Sequence, residues 1–434
     1  MYLRRLVVKN IRSLRTATMS FERGSEAGWH VILGSNAAGK STLVRAFAIA
    51  VMGEQNVYAS RHVFNHWIKD GQVQGSIEVQ LIQDQEYDLP PPPSSSMRTR
   101  SIVLRVGLER VGLDCVLKIK GDGASKTIWG GQAGWFSASF GPFRRFTGGD
   151  LQFENLPESM SRLTPHLTAL GEDVALTNAQ KWLSKLYFDS LAEKDDPSPI
   201  DLDRRTLGAI TSFINDGGFL PHDSKIFEVN GKTVHIRDGN RVITPLEQLS
   251  DGYRSALSMI LELARQMFIH IGAEKMLNSM SVVPGTIQAP GVVFIDEVDA
   301  HLHPTWQRDI GKWLTKSFPN VQFIVTTHSP IVCRAAVTDE GAVRGSIWKL
   351  PPPGVDYEFD KVTELEFSQL VYGNVLDAYS TELFGEEVLR SAAGEQKIDR
   401  LAELNVLAVT QGLEADEETE RAKLRTIFPA EASS

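Results

Sequence analysis

Two periodicities alternate along the chain. Residues 2–23 alternate, with Leu3, Leu6, Val8, Ile11, Leu14 and Phe21 set among Arg and Thr, and predict a hairpin. Trp29–Leu33 reads as a short buried strand, and Thr42–Met52, free of Gly and Pro, predicts a helix. Residues 60–90 start helically and pass into a period-two strand at Gly75–Ile82. The Pro/Ser run Pro90–Ser96 marks a linker or exposed loop. Further strands are predicted at Ser101–Glu109, Asp114–Lys120 and Ala133–Ser139, a helix at Gln180–Leu191, and a hairpin at Lys225–Ile236 around Asn230-Gly231. From Thr244 the pattern is that of an α/β half-domain. A long helix comes first, then a buried strand (Val292–Ile295), a helix (Pro304–Phe318) and a second buried strand (Val321–Thr326). The tail from residue 362 is helical and polar, and Glu414, Asp416, Glu417, Glu418 and Glu420 read as a solvated helix face. No internal repeat is present, and no sustained heptads suggest a long coiled-coil arm.

Chemistry concentrates at the strand ends. Gly34–Ser41 reads GSNAAGKS and fits G-x-x-x-x-G-K-[ST] at every fixed position, between a strand and a helix. Such a loop turns backbone N–H groups onto phosphate oxygens at a helix N-terminus. Gly34, Ser35, Asn36, Ala37, Ala38, Gly39, Lys40, Ser41 and Thr42 would line a nucleotide, with Lys40 on the β- and γ-phosphates and Ser41 on Mg²⁺. The bland alternative is an ordinary Gly-rich turn. Asp296 and Glu297 close the apolar run Val292–Ile295. Ligands sit at the C-terminal ends of parallel strands, so Asp296 would hold Mg²⁺ through water and Glu297 would act as general base. Leu249–Ser255 (LSDGYRS) opens the long helix, and Ser250 and Gly252 would form a second anion cradle or a plain N-cap. His328 ends the last strand, where it would meet the γ-phosphate or the attacking water.

In this order (Walker A, long insertion, LSDG, FIDE, TTHSP) the motifs resemble the ABC-class ATPases of the RecF/SMC/OLD type. Leu6–Leu14 looks like the first strand pair of that group, and Glu297–Pro304 like its Walker B/D-loop form, with His301 and His303 structural. The resemblance covers 1–50 and 244–335 with specific motifs. It implies an α/β fold: an ABC-type P-loop NTPase head with a β-rich subdomain and a mixed helical insertion between Walker A and the signature. The expected division is an N-terminal ATPase lobe at 1–59, the insertion at 60–243, a C-terminal ATPase lobe at 244–361 and a helical tail at 362–434. ATP and Mg²⁺ are the implied cofactors. A homodimer or higher homo-oligomer is implied, in which the LSDG of one copy closes on the ATP of another, with Asp299 at the seam. The Gly-Pro-Phe-Arg-Arg turn ending at Arg144 and Arg145, where a Q-loop belongs, resembles a subgroup of bacterial ATPases linked to phage defence, often beside a nuclease gene. Those arginines would contact phosphate or sit in a surface turn. Alternatives are a repair clamp of RecF type and a slow-turnover ATP-bound scaffold that restrains a toxic effector; a transporter ATPase is disfavoured by the long insertion.

Composition narrows the setting. The chain has 434 residues, 42% hydrophobic and 23% charged, as in a soluble globular protein of two or three domains, or of one discontinuous domain with a large insertion. Cys115 and Cys333 are too few for a disulfide framework, which fits a reducing cytoplasm. The N-terminus does not read as a signal peptide. The most apolar stretch, Ala256–Ile271, is broken by Glu262, Arg265, Gln266 and His270, so no membrane span is expected. The net charge of −9 excludes a globally basic nucleic-acid coat, but 98–145 holds nine basic residues against three acids. Arg98, Arg100, Arg105, Arg110, Lys118, Lys120, Lys126, Arg144 and Arg145 would form a stripe for a DNA backbone or a solvated sheet face. His62 and His66, at i, i+4, could bind metal on a helix, but no carboxylate or cysteine partner is evident nearby, so a ligand role is disfavoured. No nuclease motif follows the ATPase half, so any cutting would come from a nuclease-like partner effector.

Overall fold

The computed structural model describes residues 1–88, 101–112, 114–130, 133–142, 162–171, 178–192, 202–220, 223–355, 359–373 and 392–428. Pro90–Ser96, Arg98, Arg100, Arg144 and Arg145 lie outside the described residues. The chain divides into two compact units, Met1–Tyr372 and Gly373–Ser434.

The first unit is built on two sheets with a helix between them. It opens with β1 (Tyr2–Ile11), β2 (Leu14–Ser20), β3 (Gly28–Gly34) and α1 (Lys40–Ala59). Next come β4 (Gln74–Ile82), β5 (Ser101–Val111) and β6 (Asp114–Gly121). These strands alternate buried and exposed residues and pair antiparallel in the order β2-β1-β4-β5-β6, so the sheet draws strands from both sides of the P-loop. β7 (Ser137–Phe140), α2 (Asn178–Ala192) and α3 (Leu202–Asp216) follow, then a small sheet of β8 (Lys225–Val229), β9 (Val234–Arg237) and β10 (Ile243–Pro245). α4 (Asp251–Ile271), α5 (Ala273–Val282), β11 (Gly291–Ile295), α6 (Pro304–Ser317), β12 (Val321–Thr327), β13 (Gly345–Leu350), β14 (Asp360–Lys361) and α7 (Glu364–Tyr372) complete the unit. The second sheet has the order β14-β13-β3-β12-β11-β7 and is parallel except at β14. Its central strands are buried throughout, as continuous apolar runs require.

From Ala46 to Met52 α1 is apolar and buried on every side, which suits a helix enclosed between layers. Leu43, Val44, Phe47 and Val51 pack in one core with Leu6 and Val8 of β1, Ile77 and Val79 of β4, and Leu104 of β5. A side-chain amide joins the two sheets. Gln322 in β12, fully buried, accepts from Leu3 N (2.7 Å) and donates to Leu3 O (3.1 Å). α6 lies close on β3, since a Cβ on Gly311 would come within 2.7 Å of the Trp29 ring.

Two expectations need correction. α1 does not stop at Met52. It kinks at Gly53 (φ 75°) and runs on to Ala59, because the Trp129 ring occupies the space where a side chain at 53 would stand. The stretch after it does not begin helically: Arg61 takes a left-handed φ of 53° and residues 60–73 form turns.

The second unit is described as a helical hairpin of α8 (Ala392–Thr410) and α9 (Ala415–Ile427) around Leu401, Leu404 and Leu424. Glu414 and Glu417 form a capping box at the start of α9, while Asp416, Glu418 and Glu420 stay exposed. Among the described residues no helix is long and apolar enough to cross a membrane.

Candidate functional site: a phosphate cradle and an acid pair at the ends of β3, β11 and β12

β3 delivers the chain to the P-loop, and two left-handed residues turn it. Ala37 has φ 62° and Gly39 φ 109°. A Cβ on Gly39 would lie 2.7 Å from Ser13 Oγ and 2.8 Å from Leu14, so the β1–β2 turn leaves room for glycine only. Gly34 is confined too, by Leu350 at 3.0 Å from such an atom. α1 begins at Lys40, so its free N–H groups and dipole point into the loop. Lys40 Nζ folds back over the loop and donates to Gly34 O (2.8 Å) and Ser35 O (3.0 Å). It also lies 2.8 Å from His328 Nε2. Burial lowers the Lys40 ammonium to about 8, against the pull of Glu297, Asp296 and Asp299. Burial, then Lys40 itself, holds His328 below the usual histidine range, so the ring is a neutral acceptor for the ammonium.

β11 and β12 pair in parallel with Ile295 beside Val325, which sets Asp296 next to Thr326. Thr326 Oγ1 donates to Asp296 Oδ1 (2.5 Å) and accepts from Glu297 N (2.8 Å). One hydroxyl therefore holds the Asp296 carboxylate and the backbone of Glu297, which adopts a left-handed φ of 47°. Asp296 is buried while Glu297 is half-buried. The next threonine, Thr327, donates to Asp299 Oδ1 (2.6 Å), which ties this carboxylate to its own chain. Neither threonine stood out in the sequence, because threonine is an ordinary strand residue; only the register of β11 on β12 reveals them. The donor set is compatible with ATP and Mg²⁺: the Lys40 ammonium would suit phosphate, and Ser41 and Asp296 would offer the hard oxygens such an ion takes.

Ser250 is the N-cap of α4, is exposed, and makes no side-chain capping bond. Its hydroxyl is thus not used in the way an ordinary cap uses it. A Cβ on Gly252 would meet His301 O at 2.7 Å, so this glycine lets the loop after β11 pack on the signature helix. His303 caps α6 through Thr305, a structural role.

The other constellations resolve differently. His62 and His66 do not share a helix face; His62 Nε2 accepts from Trp67 Nε1 (3.2 Å), and among the described residues no group of three ligating side chains could hold a metal. Two of the five described basic residues of that stretch pair with acids across strands. Arg105 meets Glu78 at 3.1 Å, Lys118 meets Glu109 at 3.2 Å, and Arg110 donates to Ile68 O at 3.3 Å.

Comparisons place these motifs among known proteins. Residues 139–334 match a family model described as "AAA domain, putative AbiEii toxin, Type IV TA system", and residues 5–104 match one described as "AAA domain". The chain is 43% identical over 115 residues to "Retron Ec83 probable ATPase" of Escherichia coli, covering 26% of this chain and 20% of that protein. It is 26% identical over 353 residues to "Septu protein PtuA" of Bacillus mycoides (strain KBAB4), covering 79% of this chain and 40% of that one. The chain thus spans less than half the length of these relatives. Among solved structures, an SMC head bound to the C-winged helix domain of ScpA aligns with a TM-score of 0.49 and 15% identity, over 84% of this chain and 99% of that one. With a Walker A loop and a Walker B acid pair on an α/β head whose two lobes match AAA-domain models, the chain resembles the ABC-like ATPases and is similar in sequence to the retron and Septu proteins.

Proposed function

We propose that the chain binds ATP with Mg²⁺ and hydrolyses it, and that ATP-driven pairing of copies gates engagement of a nuclease-like effector, of DNA, or of both, in anti-phage defence. The observation that carries this reading is the meeting of Lys40, Asp296, Glu297 and His328 at one end of the parallel sheet, while the Ser250 hydroxyl is left unused at its helix N-terminus. In this reading Lys40 leaves the loop carbonyls for the β- and γ-phosphates, and Gly34–Thr42 wrap the phosphate chain. Ser41 and Asp296 would hold Mg²⁺, which supplies charge neutralisation for phosphoryl transfer. Glu297 takes the proton of the attacking water, and His328, released by Lys40, orients the γ-phosphate. Ser250 and Gly252 of a second copy close the site. The relatives named for retron and Septu systems support the defence setting. Arg105 and Lys118 are paired across strands with Glu78 and Glu109, which leaves fewer free cations on the described part of that face for DNA.

The test is the mass of the Glu297→Gln protein by light scattering with and without ATP-Mg²⁺. A shift to a dimer or larger species, abolished by Ser250→Arg, is expected. A constant monomer overturns the shared site, and a constant oligomer replaces it with a pre-formed scaffold.

A further inference from the structure

Beside the signature lies a hollow of about 390 Å³ that the phosphate chemistry does not use. That volume is in the range of small-molecule sites, roughly 300–1,000 Å³. Ile236, Leu249 and Tyr253 give it apolar walls, the turn from β9 to β10 contributes Asp238 and Asn240, and Ser250 stands at its edge. The walls are fixed. The Tyr253 ring is held by Trp306, 4.7 Å away between centroids. The turn is closed by Asp238 N donating to Val242 O (3.0 Å), Arg241 N donating to Asp238 O (2.9 Å), and Val242 N donating to Asp238 Oδ1 (2.8 Å). Arg241, at φ 67°, completes the reversal.

The lining selects its ligand. It includes a carboxylate and neither lysine nor arginine, so it repels phosphate and suits the uncharged end of a nucleotide. An aspartate is a standard partner for ribose hydroxyls, and an aromatic ring between aliphatic side chains suits a flat base. The phosphate end would lie toward Ser250, at the N-terminus of α4. No residue of the chain's own P-loop borders the hollow. We infer that this hollow is a nucleoside subsite, which receives the ribose and base of the ATP held by the P-loop of a second copy. Asp238 would accept from the ribose hydroxyls, with Asn240 beside it. The inference rests on the shared-site reading above.

Mixing two disabled copies tests it, each in the Glu297→Gln background. A Lys40→Ala copy offers a signature but holds no ATP; a Ser250→Arg copy holds ATP but offers no signature. Together they should form one complete site, seen as a mixed dimer. Asp238→Asn keeps the acceptor for Val242 N and loses the charge. Placed in the Lys40→Ala copy, it should raise the ATP concentration for half-maximal mixing about tenfold and erase the preference for ATP over 2′-deoxyATP. Placed in the Ser250→Arg copy, it should change neither. Asn240→Ala, outside the hydrogen bonds of the turn, should act in the same copy-dependent way. No mixed dimer at all refutes the shared site and the subsite with it. Mixing that ignores both substitutions, or responds equally in either copy, refutes the subsite alone.

Discussion

Replacing Thr326 by valine keeps the shape of a fully buried β12 side chain and removes one hydroxyl. That hydroxyl donates to Asp296 Oδ1 and receives Glu297 N. A hydrogen bond to a charged group contributes about 1.5–3 kcal/mol, and an orphaned buried amide costs about 1–3 kcal/mol. With some relaxation and the gain of a methyl, we expect a net loss of about 3 kcal/mol. At roughly 2 °C per kcal/mol for a large domain, the melting temperature should fall by about 6 °C. The larger effect should be on turnover. The left-handed turn at Glu297 would lose the acceptor for its N–H, and a displaced base can cost on the order of 100-fold in rate. Nucleotide binding should persist, because the Lys40 bonds do not pass through Thr326. Phosphate release would be measured beside the binding of a fluorescent ATP analogue. Thr326→Ser, which keeps the hydroxyl, should restore most of the rate. If Thr326→Val hydrolyses ATP like the wild type, the hydroxyl does not position the acids and the reasoning fails.

Two further outcomes are expected. His30 and His166 are buried as neutral rings, held at about 4 and about 3 by desolvation, so the unfolded chain binds protons near pH 6.5 that the folded chain refuses. Stability should therefore drop as the pH falls from about 6.5 toward 4, by about 2 kcal/mol per ring at pH 5; urea unfolding at pH 7 and pH 5 with equal stability would contradict this. Gly39→Ala should abolish nucleotide binding and destabilise the P-loop lobe by about 2 kcal/mol or more, through the left-handed φ and the contacts with Ser13 and Leu14; calorimetric titration showing wild-type ATP affinity would refute it.

The α/β head could be read from the sequence because its strands are apolar runs ending in chemically distinctive residues. Lys40, Asp296, Glu297 and His328 lie at or just after such ends, and the structure brings Lys40 against His328 within the field of the two acids. What could not be read depended on distant neighbours. Gly53 resembles a helix stop, yet Trp129 from the β-rich region makes it a kink inside a longer helix. His62 and His66 have helical spacing, but Arg61 leaves the helix before them. The pairing of Arg105 with Glu78 and of Lys118 with Glu109 could not be read, because each acid lies on a neighbouring strand. His328 was expected at a phosphate, and in the structure it accepts from the Lys40 ammonium, a contact across 288 positions that no local pattern signals.

The bond between Lys40 and His328 joins residues 288 positions apart. On a ribosome adding roughly 5–20 residues per second, about 15–60 s separate the emergence of the two. During that interval β3 is complete, but β12 and β13, the strands that flank it, do not yet exist. An apolar strand with both edges open invites pairing with other chains. Nascent chains of this protein therefore expose the apolar strand β3 early and cover its edges late, so slower translation or the loss of holding chaperones should lower its yield in a cell even when the finished fold is stable.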